Sequence, residues 1–181
     1  MTEILFRSIL GADFDKMPEA VKNMHSLSAT RDVYGRSRVL GPKNPISWLI
    51  RILARLPKPT QSTPIHIHFI KYDTYEEWDR HFGESRFRTI MKNEGSCLSE
   101  CLVGAHVTFV YRVVADHKGF SLHTVKVRFL GIPLPRLFWP SLKARAYEWR
   151  GRYRFSTMVG FWFCGRVISY FGYLEPAKTD S

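Results

Sequence analysis

Apolar residues recur along this chain at two different periods, and the change from one to the other divides it. Near the start Ile4, Leu5, Phe6, Ile9 and Leu10 form a helical stripe, and Gly11 is placed to stop it. A second helix is expected over 16–25. There Asp15 offers an N-cap, Glu19 falls in the first turn and Pro18 sits among N–H positions that have no helical partner anyway. Residues 1–26 therefore read as a helical segment. From Arg31 to Val39 the alternation becomes β-like, with Gly35 inside it. Asn44-Pro45 then opens an amphipathic helix over 44–56: an N-cap followed by proline, Ile46, Leu49, Ile50 and Leu53 at helical spacing, and Pro57 and Pro59 beyond the end.

The remainder keeps period two. Strands are expected near 64–72, 75–82, 86–92, 97–102, 105–115, 120–130, 142–149, 152–163 and 166–174. Asp116-His117-Lys118-Gly119 reads as a hairpin turn, and Gly131-Ile132-Pro133-Leu134-Pro135 as a rigid connection that carries no regular ladder. Successive short strands without helices between them specify an antiparallel architecture. Their edges must be hidden, and closure does this most completely. The expected fold is a mainly β single domain over 1–181. It is an antiparallel barrel of about nine strands, calycin-like or lipocalin-like, with the helix near 45–56 capping one mouth.

Composition narrows the setting. A chain of 181 residues, 45% hydrophobic and 24% charged, can bury a core without disulfides and is far from the disordered class. No run reaches the roughly 18 apolar residues of a membrane-spanning helix. The opening Met1-Thr2-Glu3-Ile4 puts an acid where a signal peptide needs positive charge. Cys97, Cys101 and Cys164 are odd in number, and the first two would stand about 13 Å apart on one strand, too far to bridge. Reduced thiols and a cytoplasmic location are the expectation. The formal charge of +11, from 27 Lys and Arg against 16 Asp and Glu, attracts phosphates, anionic lipid or acidic ligands.

Side-chain parity supplies candidate chemistry. With Glu77, Asp79 and His81 on a polar face, Glu76, Trp78, Arg80 and Phe82 point inward. Leu98 and Leu102 bracket Glu100, and Ala144 and Ala146 share a face with Glu148. Lys126 and Arg128 outward put His123, Val125, Val127 and Phe129 inward by the same rule. A charge in an apolar barrel must be paired, so Arg80 is expected against a glutamate; a second, unpaired glutamate would have its pKa raised. In Arg152-Tyr153-Arg154-Phe155 the arginines face out and the aromatics in, which argues against nucleic acid. His66-Ile67-His68 lacks further ligands at metal-site spacing. Dinucleotide, phosphate-loop, H-E-x-x-H and G-x-S-x-G signatures are absent, so no cofactor or metal is expected.

Several segments in order carry a resemblance: Leu5-Phe6, Leu10-Gly11-Ala12-Asp13-Phe14, Trp78-x-Arg80-x-Phe82-Gly83, Leu98-x-Glu100, Gly131-Ile132-Pro133-Leu134-Pro135 and Gly151-Arg152-Tyr153-Arg154-Phe155. With Gly165, Tyr170 and Gly172-Tyr173-Leu174 closing the series, the chain resembles, nearly end to end, the bacterial family called domain of unknown function 4166. The resemblance implies a stand-alone protein or one working beside an oxidoreductase similar to saccharopine dehydrogenases or epimerases. It implies a small-molecule or lipid context and carries no catalytic residues to transfer. Phe161-Trp162-Phe163-Cys164 is more aromatic than that family's pattern, and is expected to mark a specialised pocket.

The expected function is binding of an apolar or amphipathic small molecule, lipid-like or a secondary metabolite. Trp78, Phe82, Phe129, Tyr153 and Phe155 would form the walls and Arg80 would hold an acidic group. An alternative is a cofactor-independent isomerase or cyclase in which Glu100, Glu148 or His123 moves a proton. A second alternative is a membrane-surface module resting Trp48, Leu49, Ile52 and Leu56, with Arg51 and Arg55, on anionic lipid.

Overall fold

The computed structural model describes residues 4–27 and 29–176. Residues 1–3 of the expected helical segment, and 177–181 of the expected domain, lie outside them. Helix α1 spans Leu5–Leu10 and ends at Gly11, whose φ of 53° suits glycine. A 3-10 turn, Gly11–Lys16, leads to α2, Glu19–His25. This second helix starts later than expected because proline forces the residue before it out of helical geometry: Met17 is extended, with ψ at 153°. Asp15 accordingly caps nothing and pairs with Arg7 at 2.8 Å.

Strand β1 (Arg31–Leu40) is followed by α3 (Pro45–Leu53), whose Asn44 side chain accepts the Ser47 N–H as the N-cap signal requires. The later strands are β2 (Thr60–Lys71), β3 (Tyr75–Phe82), β4 (Ser85–Glu94), β5 (Cys97–Leu102), β6 (Val107–Asp116), β7 (Gly119–Phe129), β8 (Ile132–Pro133), β9 (Ser141–Trp149), β10 (Arg152–Phe161) and β11 (Gly165–Pro176). All pairings are antiparallel, and the order β6-β5-β4-β3-β2-β1-β11-β10-β9-β7 closes through β6–β7. The result is a closed barrel of ten strands among the described residues. The tenth is β1, which the sequence marked as β-like outside the 64–174 succession. The two-residue β8 pairs with β7, so the proline-rich connection carries a short ladder after all.

Antiparallel order fixes two ends. The 41–59 connection with α3 and the turns 83–84, 103–106, 130–140 and 162–164 lie at one, and the turns 72–74, 95–96, 117–118 and 150–151 at the other. Among the latter sits the N-terminal segment: Ser8 and Asn93 are hydrogen-bonded at 2.8 Å, and the N–H of Ala20 donates to Glu148 Oε2 at 3.2 Å. Leu5, Phe6, Phe14, Met17, Val21 and Met24 are all buried in the core. The plug is therefore this segment and not the helix at 45–56. Of α3 only Ser47 is buried, and the helix lies beside β11 with Ile46, Trp48, Leu49, Ile52 and Leu53 in solvent.

Closure brings β1 and β11 very close. A methyl group on Gly35 would lie 1.9 Å from the Tyr173 carbonyl oxygen, and one on Gly172 2.1 Å from that of Arg36. Gly35→Ala should lower stability by about 3 kcal/mol, the range of an overpacked interior. Gly104→Ala, whose nearest neighbour would be Arg55 Cδ at 3.8 Å, should change it by less than about 0.5 kcal/mol. Urea unfolding of both variants checks this; equal midpoints would mean the seam does not depend on the missing side chain.

Candidate functional site

The barrel encloses a cavity of about 150 Å³. Its walls are mainly apolar, with Phe6, Phe120 and Leu174 toward the plugged end and Leu56, Leu102 and Leu142 toward the other. Trp78, Arg80, Phe82, Glu100, Tyr153 and Phe155 line it, as parity requires. Phe129, Glu148 and His123 do not.

Each of these three departs for an identifiable reason. On β7 the register against β6 shifts between Val110 and Tyr111, so Val125 is an extra residue in the ladder. Before this bulge Phe120, Leu122 and Thr124 pair with the inward side chains of β6; after it Val127 does. Parity taken from Lys126 and Arg128 does not carry across the bulge. His123 is exposed and hydrogen-bonds Ser121 Oγ at 3.2 Å, while Val125 is also exposed. Phe129 has the right parity but sits at the strand's last position, half in solvent. Glu148 has the right parity as well, yet lies at the plugged end, where its carboxylate accepts the early N–H of α2.

The polar interior centres on Arg80, 7% exposed. One guanidinium nitrogen donates to Thr89 Oγ1 at 2.6 Å and the other to Glu100 Oε1 at 3.1 Å. The Tyr111 hydroxyl donates to Glu100 Oε2 at 3.3 Å. The guanidinium also lies 4.9 Å from the Trp78 ring centre and 5.4 Å from that of Phe87. An isolated buried ion of either sign would be penalised by several kcal/mol, and this set of partners offsets that penalty for both. Charge inside the cavity is thereby balanced. Burial raises the pKa of Tyr111, Tyr153 and Tyr170, so all three hydroxyls stay protonated.

Sequence reasoning missed His25, although Val21, Met24 and His25 share one helical stripe. It is buried against Phe6, Trp78 and Phe120, and Nε2 meets the Tyr153 hydroxyl at 3.1 Å. Nδ1 has no hydrogen-bond partner among the described residues. Burial, then the charges of Arg31 and Arg80, push the imidazole down to about 3, so it is neutral near pH 7. The glutamate whose pKa burial raises is Glu76, below the cavity; Trp78 Nε1 donates to it at 3.1 Å and Lys71 Nζ lies 3.6 Å away.

Other motifs fall outside the cavity. His66 and His68 both hydrogen-bond Asp32 Oδ1 on the outer surface, at 2.6 and 2.8 Å, and no metal-binding group of three or more His, Cys, Asp or Glu occurs among the described residues. Trp162 and Phe163 are exposed at the end opposite the plug and do not line the cavity; Cys164 is buried behind them, and all three cysteines are free.

These residues define a closed, plugged β-barrel with an apolar cavity and a single charge-balanced polar cluster within it. Its family is also clear: the model described as Domain of unknown function (DUF4166) matches residues 17–174, and the chain belongs to that family. The match begins after the Leu5 to Phe14 part of the resemblance. No curated protein and no solved structure matches the chain.

The histidine has a consequence for stability. Unfolded, it takes a proton below its ordinary value of 6.5; folded, it does so only near 3. Between these values the unfolded chain binds more protons, so His25 makes stability fall as pH drops, by about 1.4 kcal/mol per unit. Denaturant titrations over the acid range should show a steeper loss for the wild type than for His25→Gln. Parallel profiles would show that the folded protein accommodates the imidazolium.

Proposed function

We propose that the barrel binds a slender apolar molecule whose one polar end is an uncharged hydroxyl or carbonyl. The observation that carries this reading is the cavity itself: apolar walls around hydroxyls and an imidazole, in which Arg80 is already neutralised by Glu100. A ligand carboxylate would have to compete with Glu100 for that guanidinium, whereas a hydroxyl or carbonyl can bond His25 Nδ1 or a tyrosine without disturbing the pair. This replaces the expected acidic group by a neutral one.

A cavity of this volume holds about one six-membered ring. A longer ligand must extend out of it. An outer cleft of about 450 Å³, between the end of α3 and the 86–88 and 102–104 segments, shares Phe87 and Leu102 with the interior and offers that route. A proton-moving isomerase or cyclase is the second reading, favoured by Glu100 standing in the cavity beside a Tyr111 hydroxyl.

Native and denaturing mass spectra of gently purified protein, with extraction of anything retained, test the binding reading. A retained apolar compound is expected, or, in an empty protein, a rise in melting temperature with long-chain alcohols. Ala144→Phe, which fills the cavity, should abolish either effect. An empty wild type indifferent to such alcohols would overturn the proposal. If the bound compound is turned over, Glu100→Gln should abolish turnover and leave binding in place; unchanged turnover would remove Glu100 from the chemistry.

A further inference from the structure

The end opposite the plug is built unlike the rest of the surface. α3 exposes Trp48, Leu49 and Leu53, the 130–140 connection exposes Leu137 and Phe138, and the β10–β11 turn exposes Trp162. Leu53 and Trp162 are 69% and 72% in solvent. Three hydrogen bonds and one packing contact tie these segments together around the barrel end. Asn44 Nδ2 donates to the Cys164 carbonyl at 2.6 Å, Trp162 Nε1 to that of Leu137 at 2.9 Å, and the Leu130 N–H to that of His106 at 3.0 Å. Arg55, beside Gly104 in the outer cleft, completes the circuit back to α3. The apolar side chains are therefore held on one connected rim and do not hang from independent loops.

Charge is distributed with equal bias. The segments 41–60, 102–107, 129–143 and 161–166 contain no Asp or Glu, and they carry Lys43, Arg51, Arg55, Lys58, Arg136, Lys143 and Arg166. Glu84, in the neighbouring 83–84 turn, is the acid of this end, and Lys58 Nζ lies 4.0 Å from it. The plugged end by contrast mixes its bases with Asp13, Asp15, Glu19, Asp73, Glu94 and Asp116. Aromatic and aliphatic side chains among seven bases, with Glu84 the acid beside them, match the boundary of an anionic bilayer, where apolar groups enter the acyl region and cations stay at the headgroups.

We propose that this rim docks the protein on an anionic lipid surface, with the barrel end and its outer cleft facing the membrane. The docking surface stands on the rim alone and holds whether or not the cavity takes a ligand. It draws Trp48, Leu49 and Ile52 into the contact, as the helix pattern anticipated, but not Leu56, which turns inward and lines the cavity.

The test is flotation of the full chain with phosphatidylcholine vesicles, with and without phosphatidylserine, at low and high salt. Binding should require phosphatidylserine and weaken with salt. Lys58→Gln and Arg136→Gln should each weaken it by about fivefold, the worth of one basic residue near such a surface. Trp48→Ser with Leu53→Ser should weaken it at least about tenfold with little change in thermal stability, because both side chains are largely in water. Arg152→Gln, at the plugged end, should leave it unchanged. Folded wild type that ignores phosphatidylserine vesicles at low salt would overturn the proposal. So would equal weakening by Arg152→Gln, or a rim-dependent dimer that forms without any vesicle binding. Because the alcohol-binding test reads the cavity and flotation reads the rim, failure of one is distinguishable from failure of the other.

Discussion

Ten strands closed on themselves enclose more space than inward side chains fill. Barrel diameter grows with strand number, and about eight strands give an interior that side chains just occupy. Something else must enter a barrel of ten. Here it is the N-terminal segment, whose Phe6, Phe14, Val21 and Met24 come in from one end and join the wall residues in one core. They do not reach the other end, and the space left between Phe6 and Leu102 is the cavity. Fold, plug and pocket are thus consequences of one geometric mismatch. The glycines of the β1–β11 pair belong to the same constraint, because they let two curved backbones approach without side chains between them.

An apolar enclosure then dictates how its polar groups are arranged. Arg80 and Glu100 come from β3 and β5, on either side of β4, so neither could be satisfied by its own strand. β4 supplies Thr89 and β6 supplies Tyr111, and the cluster knits four consecutive strands across the interior. His25 stays neutral for the same electrostatic reason that Arg80 needs Glu100: burial disfavours any charge that is not matched at once. Neutral hydrogen-bonding groups are what such an interior has left to offer a ligand, and their chemistry suits alcohols and carbonyls more than ions.

Most of this was legible in the sequence wherever period and parity stayed regular. Strand positions along β2 to β7 and β9 to β11, the inward set Trp78, Arg80, Phe82, Glu100, Tyr153 and Phe155, and the Asn44-Pro45 helix start follow from local patterns that the fold leaves intact. What failed did so at interruptions. A bulge at Val125 reversed the parity that placed His123, and Met17-Pro18 delayed a helix that Asp15 was expected to cap. Glu148 faced the right way but at the wrong depth, because parity gives a side and says nothing of which end a residue occupies. Depth depends on where the plug sits, and that is a tertiary fact.

The orientation of α3 was hidden for a related reason. An amphipathic stripe says that a helix has an apolar face and leaves open what that face meets. In this barrel α3 lies beside β11 at the end that the N-terminal segment does not reach, and its stripe faces outward with Ile46, Trp48, Leu49, Ile52 and Leu53 in solvent. Fully burying one such side chain is worth about 1.5–3 kcal/mol, and nothing in the fold collects that stabilisation. Scattered exposed apolar residues need no explanation, but here they share one helix and one hydrogen-bonded rim with the aromatic β10–β11 turn and with bases rather than acids. A rigid apolar surface held in water by the fold itself, framed by cations, is stabilised only when something anionic and apolar covers it.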